Sequence, residues 1–120
     1  MTLTSKAEQY IPGPFMLLYS SVQNKNSHPD LQGVFYALGN NHRLILFQLL
    51  CYNEYEVNDL IILTNANYDA IRKQLNILEA YRLIVSYKDS KERLYHANPL
   101  AVRDLQLWAA TIDAVVAKFN

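Results

Sequence analysis

The sequence contains a single cysteine and no long hydrophobic run. One cysteine, Cys51, excludes an intramolecular disulfide and suits a reducing compartment. No stretch approaches the roughly 20 apolar residues that a membrane-spanning helix needs. The apolar run at residues 15–19 is too short for the hydrophobic region of a signal peptide. We therefore expect a cytoplasmic protein with no membrane partner.

The balance of charge and the scarcity of glycine exclude further classes of protein. The 120 residues include 11 Lys and Arg, 11 Asp and Glu, and three glycines. We find no glycine-rich phosphate loop, no nucleophile elbow and no carboxylate pair in a supporting context, so we expect no enzyme and no cofactor. The histidines stand singly and lack the spacing of metal ligands, so we expect no metal site. They are His28, His42 and His96.

Apolar and aromatic residues, in contrast, are plentiful. Hydrophobic residues make up 51% of the chain, which includes nine tyrosines, and this composition argues against disorder. The length fits a single domain that can bury a core of its own.

Residues 57–83 predict two helices joined by a tight polar turn. The first helix has apolar residues on one side, at Val57, Leu60 and Ile61, extended by Leu63. The turn, residues 64–67, reads Thr-Asn-Ala-Asn, and these residue types tolerate left-handed backbone or bond their own main chain.

The second helix of the pair is predicted to begin at Asn67, a favourable N-cap, with Asp69 in the first turn, where negative charge suits the helix dipole. Ile71, Leu75 and Leu78 recur at the helical period, and polar residues lie between them. A short helix, a turn and a second helix with a polar outer face are typical of a helix-turn-helix.

A β-hairpin is predicted directly after the second helix. Leu83, Val85 and Tyr87 alternate with their neighbours at a period of two, residues 89–91 supply a polar turn, and residues 92–97 alternate again. The combination predicts a mainly α (α+β) fold, a winged helix-turn-helix with a two-stranded β-wing.

Three short segments carry a family resemblance: residues 37–46, residues 73–79, and the pair Leu83-Ile84. On these segments the chain resembles the ArsR-type winged-helix repressors. The resemblance extends from about residue 34 to the C-terminus. The resemblance implies a homodimeric transcriptional regulator that binds duplex DNA, as a repressor at an operator palindrome.

The metal box of ArsR-type sensors is not preserved. That box commonly reads Glu-Leu-Cys-Val-Cys-Asp-Leu, whereas residues 54–60 here place Glu56 and Asn58 at the two thiolate positions. Related sensors also place Asp and His ligands on the last helix, which here has Asp104 and Asp113 but no histidine. We therefore expect no response to metal through these sites.

The chain divides into an N-terminal extension, residues 1–33, and a winged-helix domain, residues 34–120, that includes a C-terminal helix at 99–120. The extension is expected to be an arm with a short element packed on the dimer interface. Residues 31–38 predict a short helix, and residues 39–41 end it and cap the next. Residues 42–52 are apolar around most of a helix, which predicts a place in the middle of the core.

The C-terminal helix begins after Asn98 and Pro99, and its apolar residues recur at steps of four and three, typical of helices that pack lengthwise. Because this stripe is wider than one small domain needs to cover, we expect a homodimer interface, and packing on its own domain is the alternative. The residues expected at the interface are Phe15, Leu18, Tyr19, Leu105, Trp108, Ile112, Val115 and Phe119.

Residues 64–96 contain six basic and four acidic side chains, a small local excess of positive charge. The second helix is expected to enter the major groove, and cations of the hairpin to touch phosphate or the minor groove. The negative charge of Asp69 would lie close to phosphate and oppose DNA binding unless a backbone amide or Lys73 holds its carboxylate. The expected DNA-binding residues are Asn67, Tyr68, Ala70, Arg72, Lys73, Gln74, Lys88, Lys91 and Arg93.

A second interpretation stays open. A winged helix can be a protein-interaction module without DNA binding, and zero net charge together with acidic residues near the DNA face suits that role. An effector or protein partner is expected on the aromatic N-terminal third together with the last helix. Cys51 is expected to be a small core residue rather than a redox switch.

Overall fold

The computed structural model describes residues 31–119 of the chain. Its elements are helices α1 (Leu31–Leu38), α2 (Asn41–Tyr52), α3 (Val57–Thr64) and α4 (Tyr68–Ala80), strands β1 (Ile84–Asp89) and β2 (Glu92–Ala97), helix α5 (Pro99–Val116), and a 3₁₀ turn (Ala117–Phe119). Within this part of the chain, no helix is long and apolar enough to cross a membrane. The expectations for Phe15, Leu18 and Tyr19, and for most of the N-terminal extension, lie outside the described residues.

Asparagine caps begin three of the helices. The side-chain oxygens of Asn40, Asn67 and Asn98 each accept a backbone N–H from the first turn of α2, α4 and α5, at distances between 2.8 and 3.2 Å. Pro99, which has no N–H to satisfy, occupies the first turn of α5. Each cap contributes about 1 kcal/mol to helix stability. The starts of these helices therefore follow from local sequence, as expected.

The turn of the helix-turn-helix depends on one left-handed residue. Asn65 has a φ of 58°, and its backbone N–H donates to the carbonyl of Ile61 at 2.8 Å. Asparagine adopts this conformation at lower cost than most residues. The turn thus ends α3 and directs the chain into α4, which confirms the predicted helix-turn-helix.

The core lies where α1, α2, α3 and α4 meet the hairpin. Its buried members are Val34, Ala37, Leu46, Phe47, Leu50, Leu60, Ile71, Leu75, Leu78, Leu83, Ile84, Tyr95 and Ala97. Ile71, Leu75 and Leu78 are the predicted inner face of α4. Leu60 anchors α3, but Leu63, predicted on the same side, is 52% exposed.

The expectation that α2 lies in the middle of the core was wrong. Leu46, Phe47 and Leu50 are buried, whereas Leu44 is 38% exposed and Ile45 is 48% exposed. The neighbouring elements cover one face of α2, and its remaining apolar side chains extend from the opposite face.

The hairpin is a regular antiparallel pair that runs from Ile84 opposite Ala97 to Asp89 opposite Glu92. Ser90 takes a left-handed conformation in the turn, with a φ of 57°. Arg82 is also left-handed, with a φ of 62°, which reverses the chain after α4. Leu83 is consequently buried just before the strand begins, and β1 then turns Ile84 inward.

The expected alternation in β1 is therefore out of phase with the structure. Val85 and Tyr87, grouped with Leu83 by sequence, are 37% and 41% exposed. At the base of the hairpin, Tyr55 and Tyr95 exchange backbone hydrogen bonds of 3.1 and 2.9 Å, which fixes the wing to the segment between α2 and α3.

Helix α5 rests on its own domain along a narrow line. Ala101, Asp104 and Thr111 are buried, and the Thr111 hydroxyl donates to the carbonyl of Leu107 at 2.7 Å. The predicted seam residues Leu105, Trp108, Ile112 and Val115 are half-buried, and Phe119 is 84% exposed. The described chain therefore leaves much of this apolar stripe uncovered.

Candidate nucleic-acid interface

The first half of α4 presents a short exposed surface. Tyr68 is 56% exposed, and Asp69, Ala70 and Lys73 are also exposed, while Ile71 between them is buried and fixes the helix to the core. Within residues 31–119, no hydrogen bond or ion pair engages the side chains of Tyr68, Asp69 or Lys73. These side chains are therefore available to an external partner.

Arg72 points elsewhere. Its Nη1 donates a hydrogen bond to the hydroxyl of Tyr95, whose side chain is fully buried on β2. Because the tyrosine ring is held in the core and its backbone pairs with Tyr55, the hydroxyl is a fixed acceptor. The contact ties α4 to the wing and engages the guanidinium of the half-buried Arg72 within the domain.

Gln74 is also engaged within the domain. Its Oε1 accepts a hydrogen bond of 3.0 Å from Nη1 of Arg43, and Nε of Arg43 donates to the carbonyl of Ala37 at 2.6 Å. This chain of contacts links α4 to α2 and to the end of α1. The carbonyl edge of Gln74 is occupied by an internal partner, and its amide NH₂ is left as a donor.

On the wing, the predicted cations differ in their surroundings. Arg93 donates from Nη1 to the hydroxyl of Ser86 at 3.0 Å, and that hydroxyl donates to Oε2 of Glu79 at 3.1 Å. Lys88 and Lys91 are exposed near the tip of the hairpin, and Lys88 lies opposite Arg93 in the antiparallel register. The tip therefore carries cations that are free to meet an anionic partner.

The wing is held to the body by a tyrosine and a carboxylate. The hydroxyl of Tyr87 donates to Oε2 of Glu54 at 2.6 Å, and this hydrogen bond, with nearby negative charge, raises the pKa of Tyr87. Burial together with the carboxylates of Glu92 and Asp59 raises the pKa of Glu56, at the start of α3. Acidic side chains thus lie beside the wing, and Glu92, opposite Asp89, brings acidic charge to the tip of the hairpin as well.

Comparison with known proteins gives matches among solved structures. A scan against models of protein families finds no match, and neither does a search of the curated proteins. An ArsR-like transcriptional regulator from Rhodococcus sp. RHA1 is 28% identical over 74% of this chain and 81% of that chain, with a TM-score of 0.60. A protein described as a possible transcriptional regulator for arsenical resistance is 27% identical over 71% of this chain and 94% of that chain, with a TM-score of 0.58.

The chain has the winged-helix fold of these regulators. The fold is found again in the homodimeric winged helix-turn-helix DNA-binding domain of Mb0332 from Mycobacterium bovis. That domain is 17% identical, covers 90% of this chain and 94% of that chain, and has a TM-score of 0.58. The first two neighbours are described as an ArsR-like and a possible transcriptional regulator.

Other groups occupy the two positions at which the ArsR-type sensors carry thiolates. Glu56 and Asn58 occupy them at the start of α3. The carboxylate of the following residue, Asp59, accepts a hydrogen bond of 3.1 Å from the backbone N–H of Glu56. No group of three or more His, Cys, Asp or Glu side chains with metal-binding geometry occurs in the described ranges. Cys51 lies at the surface of α2 rather than in the core, which corrects the expectation, and partial burial raises the pKa of its thiol.

Two residues that support this surface were not identified as such from the sequence. Tyr95 and Arg43 hold Arg72 and Gln74, which lie 23 and 31 positions away along the chain. Periodicity could have placed Tyr95 on the inner face of β2, but the partner of its hydroxyl depends on how α4 packs against the hairpin. Neither contact has a local sequence signal.

Proposed function

We propose that this protein binds duplex DNA through α4 and the wing and regulates transcription. The observation that carries the proposal is the first half of α4, where the side chains of Tyr68, Ala70 and Lys73 stand exposed on a helix-turn-helix and make no hydrogen bond within residues 31–119. Residues at this place in a helix-turn-helix meet base edges in the major groove. The similarity to transcriptional regulators at 27 and 28% identity supports the same role.

Base recognition would fall to a small set of side chains. Lys73 can donate to guanine O6 and N7, and Ala70 can contact the methyl group of thymine. Asp69, which no internal partner holds, can accept from the N4 amino group of cytosine, so its charge becomes a specificity element rather than a liability. Tyr68 would lie beside them, at the N-terminal edge of α4.

Arg72 and Gln74 would act by positioning α4. The hydrogen bonds from Arg72 to Tyr95 and from Arg43 to Gln74 connect α4 to the wing and to α2. Through them, α4 and β2 would approach DNA as one rigid unit, which lowers the cost of ordering on binding.

Phosphate contacts would come from the wing tip and the start of α4. Lys88 and Lys91 are exposed on the hairpin, and Arg93 lies beside them on Ser86. Asn67 uses its side-chain oxygen as the cap of α4, which leaves its amide NH₂ to donate to a phosphate. With few cations and zero net charge, we expect modest non-specific affinity.

A homodimer would place two copies of α4 on an operator palindrome, and the uncovered stripe of α5 is the surface we assign to it. Phe35 of α1 packs edge-to-face on Trp108, with ring centroids 4.9 Å apart, so α1 extends the same apolar surface. Leu105, Ile112 and Val115 continue it, and Phe119 ends it. The homodimeric Mb0332 domain has the same fold. We place the dimer in the cytoplasm and assign it the role of repressor.

The test is DNA binding by the full chain, measured as fluorescence anisotropy of a labelled random duplex, followed by selection of preferred sites from a random library. We expect binding that Lys73→Ala weakens and that Lys118→Ala, a matched change on the exposed 3₁₀ turn, does not. Selected sites should contain two half-sites, and Asp69→Ala should relax the preference for cytosine in each.

Loss of binding in both lysine variants alike would argue against α4 as the contact surface. No binding by the native chain at low salt would favour the interaction-module interpretation. Ile62, which is 78% exposed on α3, would then belong to the surface that meets a protein partner.

A further inference from the structure

A groove of about 730 Å³ lies between α2, the turn that follows α3, and the first half of α4. Its apolar wall is formed by Ile45, Leu46, Leu63, Ala66 and Ile71. Leu46 and Ile71 also belong to the core, whereas Ile45 and Leu63 are 48% and 52% exposed, so this wall keeps apolar surface in contact with water. An apolar cleft of this size is in the range that holds small molecules, about 300–1,000 Å³.

The charges around the groove have one sign. Among the residues that the structure describes, the ionisable side chains that line it are His42 and Lys73, and no Asp or Glu does so. Gln74 adds an amide NH₂, because its Oε1 already accepts from Arg43. Lys73 therefore brings a positive charge to the groove and Gln74 brings a hydrogen-bond donor, and together they complement a carboxylate.

We propose that the groove binds a small apolar carboxylic acid. The hydrocarbon or aromatic body would pack between Ile45 and Leu63, and the carboxylate would accept hydrogen bonds from the ammonium group of Lys73 and the amide of Gln74. The chain's own apolar segment at residues 15–19 has no acidic residue and does not complement this charge.

Ligand and DNA would compete for the same residues. Ala70 and Lys73 line the groove and are also the side chains to which we assign base contacts. An acid bound to Lys73 would neutralise a cation of the DNA-binding surface and occupy the space beside Ala70, so it would release DNA. This competition depends on the proposed function, whereas binding of the acid does not.

The binding test uses the full chain and a panel of aryl and alkyl carboxylic acids, 4-phenylbutyrate among them, each matched with its neutral amide. Methyl NMR signals of Ile45, Leu63 and Ile71 report on the groove without DNA. We expect saturable shifts with acids of the panel, and binding at least about tenfold weaker for the corresponding amides, since a hydrogen bond to a charged group is lost.

A matched pair of variants separates the groove from the rest of α3. Leu63→Glu places a carboxylate in the groove and should abolish the shifts caused by the acids. Ile62→Glu makes the same change at the adjacent residue, which is more exposed and does not line the groove, and should leave acid binding unchanged. The circular dichroism spectra of both variants should match that of the native chain.

Three results would overturn the proposal: no acid of the panel shifts the groove signals, the amides bind as tightly as the acids, or Ile62→Glu weakens binding as much as Leu63→Glu. The competition is tested separately, by displacement of labelled duplex. Saturable acid binding without displacement would contradict the competition and support the site. Absence of DNA binding by the native chain would refute the proposed function, and the NMR titration would still decide the site.

Discussion

The hydrogen bond between Arg72 and Tyr95 gives a prediction that separates the support of α4 from contact with DNA. Tyr95 is fully buried and Arg72 is half-buried, so Tyr95→Phe removes one hydroxyl and leaves a guanidinium without its acceptor. Hydrogen bonds to charged groups contribute about 1.5–3 kcal/mol, and water can partly replace the lost acceptor at Arg72. We expect Tyr95→Phe to lower the free energy of unfolding by about 1–2 kcal/mol.

Urea unfolding followed by circular dichroism measures this change. Tyr87→Phe is the matched control, because it also removes a hydrogen-bonded tyrosine hydroxyl from the wing, here one that donates to Glu54, but Tyr87 is 41% exposed. Its effect should stay within about 0.5 kcal/mol, as for most surface changes. Equal losses of unfolding free energy in the two variants would contradict the conclusion that the buried hydrogen bond between Arg72 and Tyr95 stabilises the fold more than the exposed one.

A double-mutant cycle with Arg72→Met tests whether the two side chains act together. If the hydrogen bond positions α4, the double variant should be more stable than the sum of the single losses predicts, by about 1 kcal/mol. Arg72→Met should also leave the salt dependence of DNA binding unchanged. Additivity within about 0.3–0.5 kcal/mol, with a salt slope reduced by about 1, would refute the reasoning and make Arg72 a phosphate contact.

Three further predictions concern the cap of α4, the wing base and the apolar stripe. Asn67→Ala should cost about 1 kcal/mol in urea unfolding, because α4 loses its N-cap. The raised pKa of Glu56 means that the folded chain binds this proton more tightly than the unfolded chain, so stability falls as pH rises above the ordinary value of 4.5. Glu56→Gln should flatten that pH dependence. Phe119→Glu should weaken the dimer at least about tenfold in analytical ultracentrifugation, whereas Tyr52→Glu, on an equally exposed aromatic residue of α2, should not.

Local features of the fold could be predicted from the sequence because their causes are local. Asn67 and Asn98 cap helices within two or three residues of themselves, and Asn65 supports the left-handed turn by its own conformational preference. The two strands likewise follow from alternation and a polar turn. These elements establish the winged helix before any tertiary contact is considered.

Which face of an element is covered could not be predicted in the same way. Periodicity shows that α2 is apolar on several sides, but whether Ile45 is buried depends on where α3 and α4 pack. The same limit applies to Arg72 and Gln74. The sequence predicts that both side chains point outward, and only the structure shows that they bond to Tyr95 and Arg43, which are distant in the chain. The groove beside α4 likewise depends on how α2, the turn after α3, and α4 pack together, so it has no signature in the sequence.

The measurement that tests DNA binding most directly is the salt dependence of affinity for duplex DNA, compared between the native chain and Lys88→Ala/Lys91→Ala. Each phosphate contact contributes about 0.9 to the slope of log affinity against log salt. The native chain should bind at low salt with a slope of several, and the double variant should lose about 1 for each lysine that meets phosphate. An unchanged slope would remove the wing from the contact surface, and absence of binding at low salt would refute the proposed DNA-binding function.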